Sequence, residues 1–284
     1  MLYFWSLLLL AYAGLVKPAQ FLHRSDGFQD KNIFVLAGQS NMAGRGGVIV
    51  DKWDGIIPPE CQPNSSILRL NSGLEWEEAR EPLHFDIDLN KTVGVGPGMA
   101  FANAIRDNKM NSSIGVVGLV PCAIGGTKIS EWAQGTHLYN EFVRRSKASL
   151  KEGGTIRAIL WYQGESDTVI REDADRYGEN LKKLIGNMRD DLQLPMLPFI
   201  QVALASGQGP FVEVVRKAQL ELDLPNVWCV DADGLPLESD SLHLTTQAQV
   251  RLGQMLAESF FMKTVQQQSR PISNDAPKRT HYLL

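Results

Sequence analysis

From Asn32 onward, short apolar runs alternate with longer stretches whose apolar residues recur every three or four positions. The runs Ile33–Ala37, Ile114–Val120, Ile156–Tyr162, Pro198–Leu204 and Val227–Val230 lack the in-and-out alternation of a half-exposed sheet. They predict five strands buried on both faces. Between them, helical spacing predicts helices over Met99–Asn108, Leu138–Leu150, Ala174–Met188, Phe211–Leu222 and Thr245–Thr264. Such alternation predicts an α/β protein, a three-layer α/β/α sandwich around a five-stranded parallel sheet. Residues 48–96 interrupt the pattern with Pro58, Pro59, Pro63 and Pro82 and with Trp53, Trp76 and Phe85. They read as a long irregular insertion over the edge of the sheet where ligands bind. No repeat or linker divides the chain, so one domain is expected over residues 30–265. The tail 266–284, with three glutamines, two prolines and mixed charge, reads as disordered.

Composition narrows the class. The 284 residues are 44% hydrophobic and 21% charged, enough apolar content for a sizeable core. Lys and Arg number 28 against 32 Asp and Glu, with no long run of either sign, which excludes a phosphate-tracking surface and argues against nucleic acid as a partner. Cys61, Cys122 and Cys229 have no metal-ligand spacing, so no zinc site is expected. Three cysteines allow at most one internal disulfide, and burial as ordinary core residues is the alternative. Met1 to Gly14 is apolar and uncharged, and Ala11-Tyr12-Ala13 offers the small residues of a cleavage site. Residues 1–19 read as a secretory signal peptide, with an uncleaved membrane anchor as the alternative. Asn-x-Ser/Thr sequons at Asn64, Asn90 and Asn111 agree with export.

In open parallel sheets, ligands bind beyond the carboxyl ends of the strands. The residues that follow the expected strands are Gly38-Gln39-Ser40-Asn41-Met42, Cys122-Ala123-Ile124-Gly125-Gly126-Thr127, Gln163-Gly164-Glu165-Ser166-Asp167 and Asp240-Ser241-Leu242-His243. Ser40, on a tight turn from a buried strand into a helix, is the candidate nucleophile; its simpler reading is a helix cap. His243, three residues after Asp240, can take the serine proton while the carboxylate fixes its tautomer. The N–H of Ser40, an N–H in Gly125-Gly126 and the Gln163 amide are candidate donors to a developing oxyanion. His84 and His137 are candidate substrate contacts, as are the aromatic faces of Trp53 and Trp76, whose simpler role is to hold the insertion to the body.

Taken together and in this order, the four blocks, the third beginning at Trp161-Tyr162, resemble the plant branch of carbohydrate esterase family six. That branch, with the sialate O-acetylesterases, belongs to the SGNH hydrolase superfamily. The resemblance spans roughly Asn32 to Phe261. It implies a flavodoxin-like SGNH hydrolase fold and hydrolysis of acetyl esters on sugars, with no metal or other cofactor. By the same resemblance Ser40 is the nucleophile, His243 the base and Asp240 its partner. Ser40 N–H and Gly125 or Gly126 form the oxyanion hole, with Gln163 as its third donor. Asn41 and Glu165 are supporting residues, Glu165 orienting Gln163 or a sugar hydroxyl. The first block is Gly-Gln-Ser where the superfamily has Gly-Asp-Ser, and Gln163-Gly164-Glu165 stands where the superfamily has a catalytic Asn. The expected function is an exported serine esterase that deacetylates plant cell-wall polysaccharide such as xylan, with no stable membrane partner once the leader is removed. The alternatives are a sialate-type or small-ester O-acetylesterase and a non-catalytic carbohydrate-binding protein.

Overall fold

The computed structural model describes residues 31–107 and 114–268. The leader 1–19, the sequon at Asn111 and all but the start of the tail 266–284 lie outside the described residues. Ten expected elements are present: strands β1 (Asn32–Gly38), β6 (Val117–Pro121), β7 (Thr155–Tyr162), β8 (Phe199–Ala203) and β9 (Val227–Asp231), and helices α2 (Pro97–Asp107), α3 (His137–Ala148), α4 (Arg171–Leu192), α5 (Val212–Leu220) and α6 (Thr246–Gln268). The last helix therefore runs through Gln268, past the point where the tail was expected to begin. A four-residue helix, α1 (Ser40–Ala43), follows β1.

The sheet has seven strands, not five, in the order β5-β4-β6-β1-β7-β8-β9. The two additional strands come from the insertion: β4 (Ile67–Leu70) runs parallel to β6, and β5 (Trp76–Glu78) closes the edge antiparallel to β4. Neither is an apolar run: β4 contains Arg69, and β5 contains Glu77 and Glu78. Arg69 is 1% exposed, and its guanidinium is satisfied by Glu77, by both Asp86 oxygens and by the Leu83 carbonyl. A buried charge with several partners can occupy a core position that an alternation test would reject. The insertion also forms a small hairpin, β2 (Val48–Ile49) with β3 (Lys52–Trp53), whose turn residues Val50 and Asp51 both have positive φ.

Helices α2 and α6 pack together on one face, and α3, α4 and α5 on the other. Phe34 of β1 meets Phe101 of α2 at a 4.8 Å centroid separation and Phe260 of α6 at 5.2 Å, both edge to face. On the opposite face Trp161 of β7 stacks edge-on with Trp132 and donates to the Tyr177 hydroxyl of α4. Strand order reverses at β1: β4 and β6 lie to one side, β7 to β9 to the other. That switch point opens a crevice at the carboxyl end of β1. Cys61, Cys122 and Cys229 are all free thiols, and the two nearer the amino terminus are buried. No disulfide forms among them. None of the described helices is long and apolar enough to cross a membrane.

Phe34 joins the sheet to both helices of one layer, so Phe34→Ala should destabilise the protein by about 3–5 kcal/mol. Equilibrium urea unfolding should show a lower midpoint with an unchanged slope.

Candidate active site

β1 ends where a side chain cannot fit. Gly38 has φ +128°, and a Cβ there would overlap the Tyr162 carbonyl oxygen. The close approach lets Gln39 N–H donate to Tyr162 O at 2.8 Å, which ties the turn to β7 as the chain enters α1. Ser40 is the first residue of that helix and is 5% exposed.

The second half of the site arrives from about 200 residues along the chain, just before α6. Asp240 Oδ1 accepts the N–H groups of Leu242 and His243, both at 2.9 Å, which winds Asp240–His243 into a turn around the carboxylate. The remaining oxygen lies 2.6 Å from His243 Nδ1, and His243 Nε2 lies 3.0 Å from Ser40 Oγ. Burial raises the Asp240 pKa, but the bonds from His243 N–H, Leu242 N–H and the His243 ring outweigh it and hold the carboxyl below its ordinary range. With its proton on Nδ1, the imidazole presents a lone pair to the hydroxyl. That arrangement can take the proton of an attacking serine.

Asn41 holds the two halves together. Its Oδ1 accepts Leu244 N–H at 2.9 Å, and its Nδ2 donates to Glu165 Oε1 at 2.8 Å and, more weakly, to Leu242 O at 3.4 Å. The residues on either side of His243 are thus gripped by one amide. Ser206 Oγ adds a bond to Leu242 O at 2.5 Å, and Gln249 Nε2 donates to the Asn41 carbonyl. Glu165 therefore orients Asn41, not Gln163 or a sugar.

Ser40 opens onto a cavity of about 300 Å³ lined also by Arg45, Val48, Val50, Lys91, Gly126 and His243. Gly126 is exposed, and among the described residues nothing accepts its N–H or that of Ser40. Gly125 N–H is engaged, donating to Asp88 Oδ2 at 3.2 Å. Gln163 is not at the cavity: it is fully buried, and its Nε2 donates to Asp167 at 2.7 Å, Thr127 O at 2.8 Å and Gln39 Oε1 at 3.3 Å. An amide committed to three protein acceptors does not serve a substrate oxygen.

Nor do the tryptophans line this cavity. Trp76 lies against Gly118 near the start of β6, with Lys31 over its ring at 5.7 Å, far from the carboxyl end of the strands. Trp53 packs against the Gly94 backbone beneath the hairpin. His84 is buried, and desolvation together with Arg145 and Arg45 pushes its pKa down to about 3, so it stays neutral and away from substrate. His137 lines a separate cavity of about 170 Å³. Two site residues escape sequence reasoning, Arg45 and Asp88. Their Nη2–Oδ2 ion pair is 2.5 Å long and buried, and Arg45 Nη1 also donates to Gly44 O. The signal for Arg45 was its position five residues after the serine; nothing local marks Asp88.

Burial raises the Glu165 pKa to about 7 against the opposing Asn41 bond, and raises that of Asp167 to about 6. A carboxyl with a raised folded pKa binds its proton more tightly folded than unfolded, so stability is greatest below the ordinary carboxylate pKa and falls as pH rises through the folded value. Wild type should lose stability relative to Glu165→Gln between about pH 4.5 and 7. Melting temperatures of both proteins across that range check the sign.

The match with known proteins covers nearly the whole described chain. Residues 30–262 match the family described as carbohydrate esterase, sialic acid-specific acetylesterase. A probable carbohydrate esterase of Arabidopsis thaliana, At4g34215, is 61% identical over 234 residues, which is 80% of this chain and 89% of that protein. The X-ray structure of the Arabidopsis thaliana protein AT4G34215 superposes with a TM-score of 0.79 at 59% identity, covering 82% of this chain and 98% of that one. The crystal structure of NanS shares the fold at 16% identity, with a TM-score of 0.66 over 84% of this chain and 98% of that one. The large, mostly parallel sheet is shared with NanS, and the matched carbohydrate esterase family implies acetylated carbohydrate substrates. By its sequence over residues 30–262 and its fold, this chain belongs to the carbohydrate esterase family of sialic acid-specific acetylesterases.

Proposed function

We propose that the protein is an exported serine esterase that removes O-acetyl groups from plant cell-wall polysaccharide such as xylan, using Ser40, His243 and Asp240. The observation that carries this reading is the unbroken chain from Ser40 Oγ through His243 to Asp240, with the serine at the mouth of a polar cavity. Ser40 Oγ attacks the acetyl carbonyl carbon as its proton passes to His243 Nε2. Asp240 keeps the imidazole oriented and stabilises the imidazolium. The carbonyl oxygen becomes an oxyanion that accepts from the N–H groups of Ser40 and Gly126. Collapse breaks the bond to the sugar oxygen, which leaves with the proton from His243, and acetyl remains on Ser40. Water then attacks the acetyl-serine by the same route, releasing acetate and restoring the hydroxyl.

A cavity of about 300 Å³ accommodates an acetylated sugar ring whose chain continues into solvent. Val48 and Val50 offer apolar contact, while Asp51, Lys91, Thr92 and Gln208 offer partners for hydroxyls. The Arabidopsis thaliana relative, a probable carbohydrate esterase, supports a carbohydrate ester as the substrate. One observation favours a sialate-type substrate instead: the cations Arg45 and Lys91 both line the cavity, where a sugar carboxylate could pair with them.

Ser40→Ala should reduce acetate release to background with an unchanged melting temperature, since it removes one oxygen from a nearly buried site. His243→Ala should be nearly as severe, and Asp240→Asn should lower kcat less than either, because the base survives. Retention of more than a few per cent of activity by Ser40→Ala would sink the assignment.

Acetate release from acetylated xylan, pectin, mannan, small acetyl sugars and O-acetylated sialic acid should rank xylan first by kcat/KM. A preference for the sialic acid, lost in Lys91→Ala, would instead favour the second reading.

A further inference from the structure

With Gln163 bonded elsewhere, the oxyanion site is left with two backbone donors, those of Ser40 and Gly126. Serine hydrolases gain much of their rate from donors aimed at the oxygen that becomes charged. Beside Gly125, a side-chain donor also lines the cavity. The point where a Cβ on Gly125 would lie is overlapped by Arg45 Nη2, and Ser40 Cβ stands 3.5 Å from the same point. The guanidinium and the serine side chain therefore flank one spot on the cavity wall.

Arg45 does not wander there. Its Nη2 is tied to Asp88 Oδ2 at 2.5 Å and its Nη1 to Gly44 O at 2.8 Å, and the residue is only 5% exposed. Asp88 also accepts Gly125 N–H, so a single carboxylate sets the positions of the guanidinium and of the glycine loop. A guanidinium carries five N–H donors, and the two bonds leave three of them for a ligand. Gly125 is not in the left-handed region, so its lack of a side chain is explained by the space Arg45 needs, not by backbone strain.

We propose that Arg45, aimed by Asp88, is the third donor to the acyl oxygen, a charge-assisted contact that strengthens as the carbonyl becomes an oxyanion. This rests on the esterase reading above. The fixed donor is in the place that sequence reasoning gave to Gln163, and it carries a full positive charge where Gln163 would have offered a dipole.

Two variants reach the contact by different routes. Arg45→Gln removes the guanidinium but leaves Asp88 buried without its partner, which can unfold the protein. Gly125→Ala keeps both charges and the Gly125 N–H; its Cβ would overlap Arg45 Nη2 and crowd Asp88 Oδ2 at 3.1 Å, so it disturbs the aimed pair without removing either partner. Each folded variant should lose about 10²-fold in kcat with KM changed by no more than a few-fold. Binding of methylboronic acid, which adds to Ser40 Oγ as a tetrahedral anion, should weaken by a similar factor, while binding of the product acetate stays within about threefold.

Equal weakening of boronate and acetate would overturn the proposal in favour of ground-state anchoring. So would an unchanged kcat in Gly125→Ala, whether or not Arg45→Gln folds. If wild type itself showed neither turnover of aryl or sugar acetates nor boronate binding, the esterase reading would fall and this inference with it; wild-type activity with indifferent variants would remove only Arg45.

Discussion

One side-chain amide decides whether this fold has a working centre. Asn41 sits one residue after Ser40 and bonds the backbone on both sides of His243, which comes from the far end of the chain. Without that bridge, the turn Asp240–His243 would keep the bonds of its own carboxylate, of Ser206 and of Glu238 N–H to His243 O, none of which reaches the segment that carries Ser40. Proximity of this kind matters because a proton transfer requires heavy atoms within hydrogen-bond reach, and a shift of an ångström removes it. The clamp lies in a fully buried setting, where an amide bond to a carboxylate is worth more than at a surface and where losing a partner costs more.

That setting explains the density of polar groups beneath the cavity. Gln39, Asn41, Gln163, Glu165 and Asp167 are all buried within a few residues of the ends of β1 and β7. Desolvation pushes both acids toward their neutral forms. Each is nevertheless anchored by a side-chain amide, Glu165 by Asn41 and Asp167 by Gln163. Asp167 also accepts the N–H of Ile129, which ties the loop after β7 to the loop after β6. The network is a scaffold under the reacting groups, and it converts the positions of three loops into one rigid floor.

The wall of the cavity follows a different logic. Arg45 and Asp88 form a buried pair whose partners include backbone groups of Gly44 and Gly125. Breaking such a pair leaves an uncompensated charge, so it resists displacement and holds its geometry. The insertion that supplies Asp88 also supplies β4, β5 and the hairpin at the rim. It is therefore part of the sheet edge as well as part of the site, and more than a loop laid over them.

The amino-acid pattern alone determined the alternation of strands and helices, since buried parallel strands are continuous apolar runs and the covering helices keep a 3.6-residue period. It also determined which loops hold chemistry, because Ser40 and His243 follow or adjoin those runs, and the Asp240-to-His243 spacing closes a local turn readable without a fold. Strands β4 and β5 were not legible: the core position of β4 depends on Arg69 finding Glu77, from the edge strand β5, and Asp86, partners that only folding brings together. Trp76 looked like a sugar platform for the same reason that it packs well, a large flat apolar face, and only its placement near the start of β6 separates the two roles. The fate of Gln163 and the presence of Arg45 were likewise beyond the sequence. Hydrogen-bond partners are assigned by distance in three dimensions: Thr127 meets Gln163, and Asp88 meets Arg45, across gaps of tens of residues.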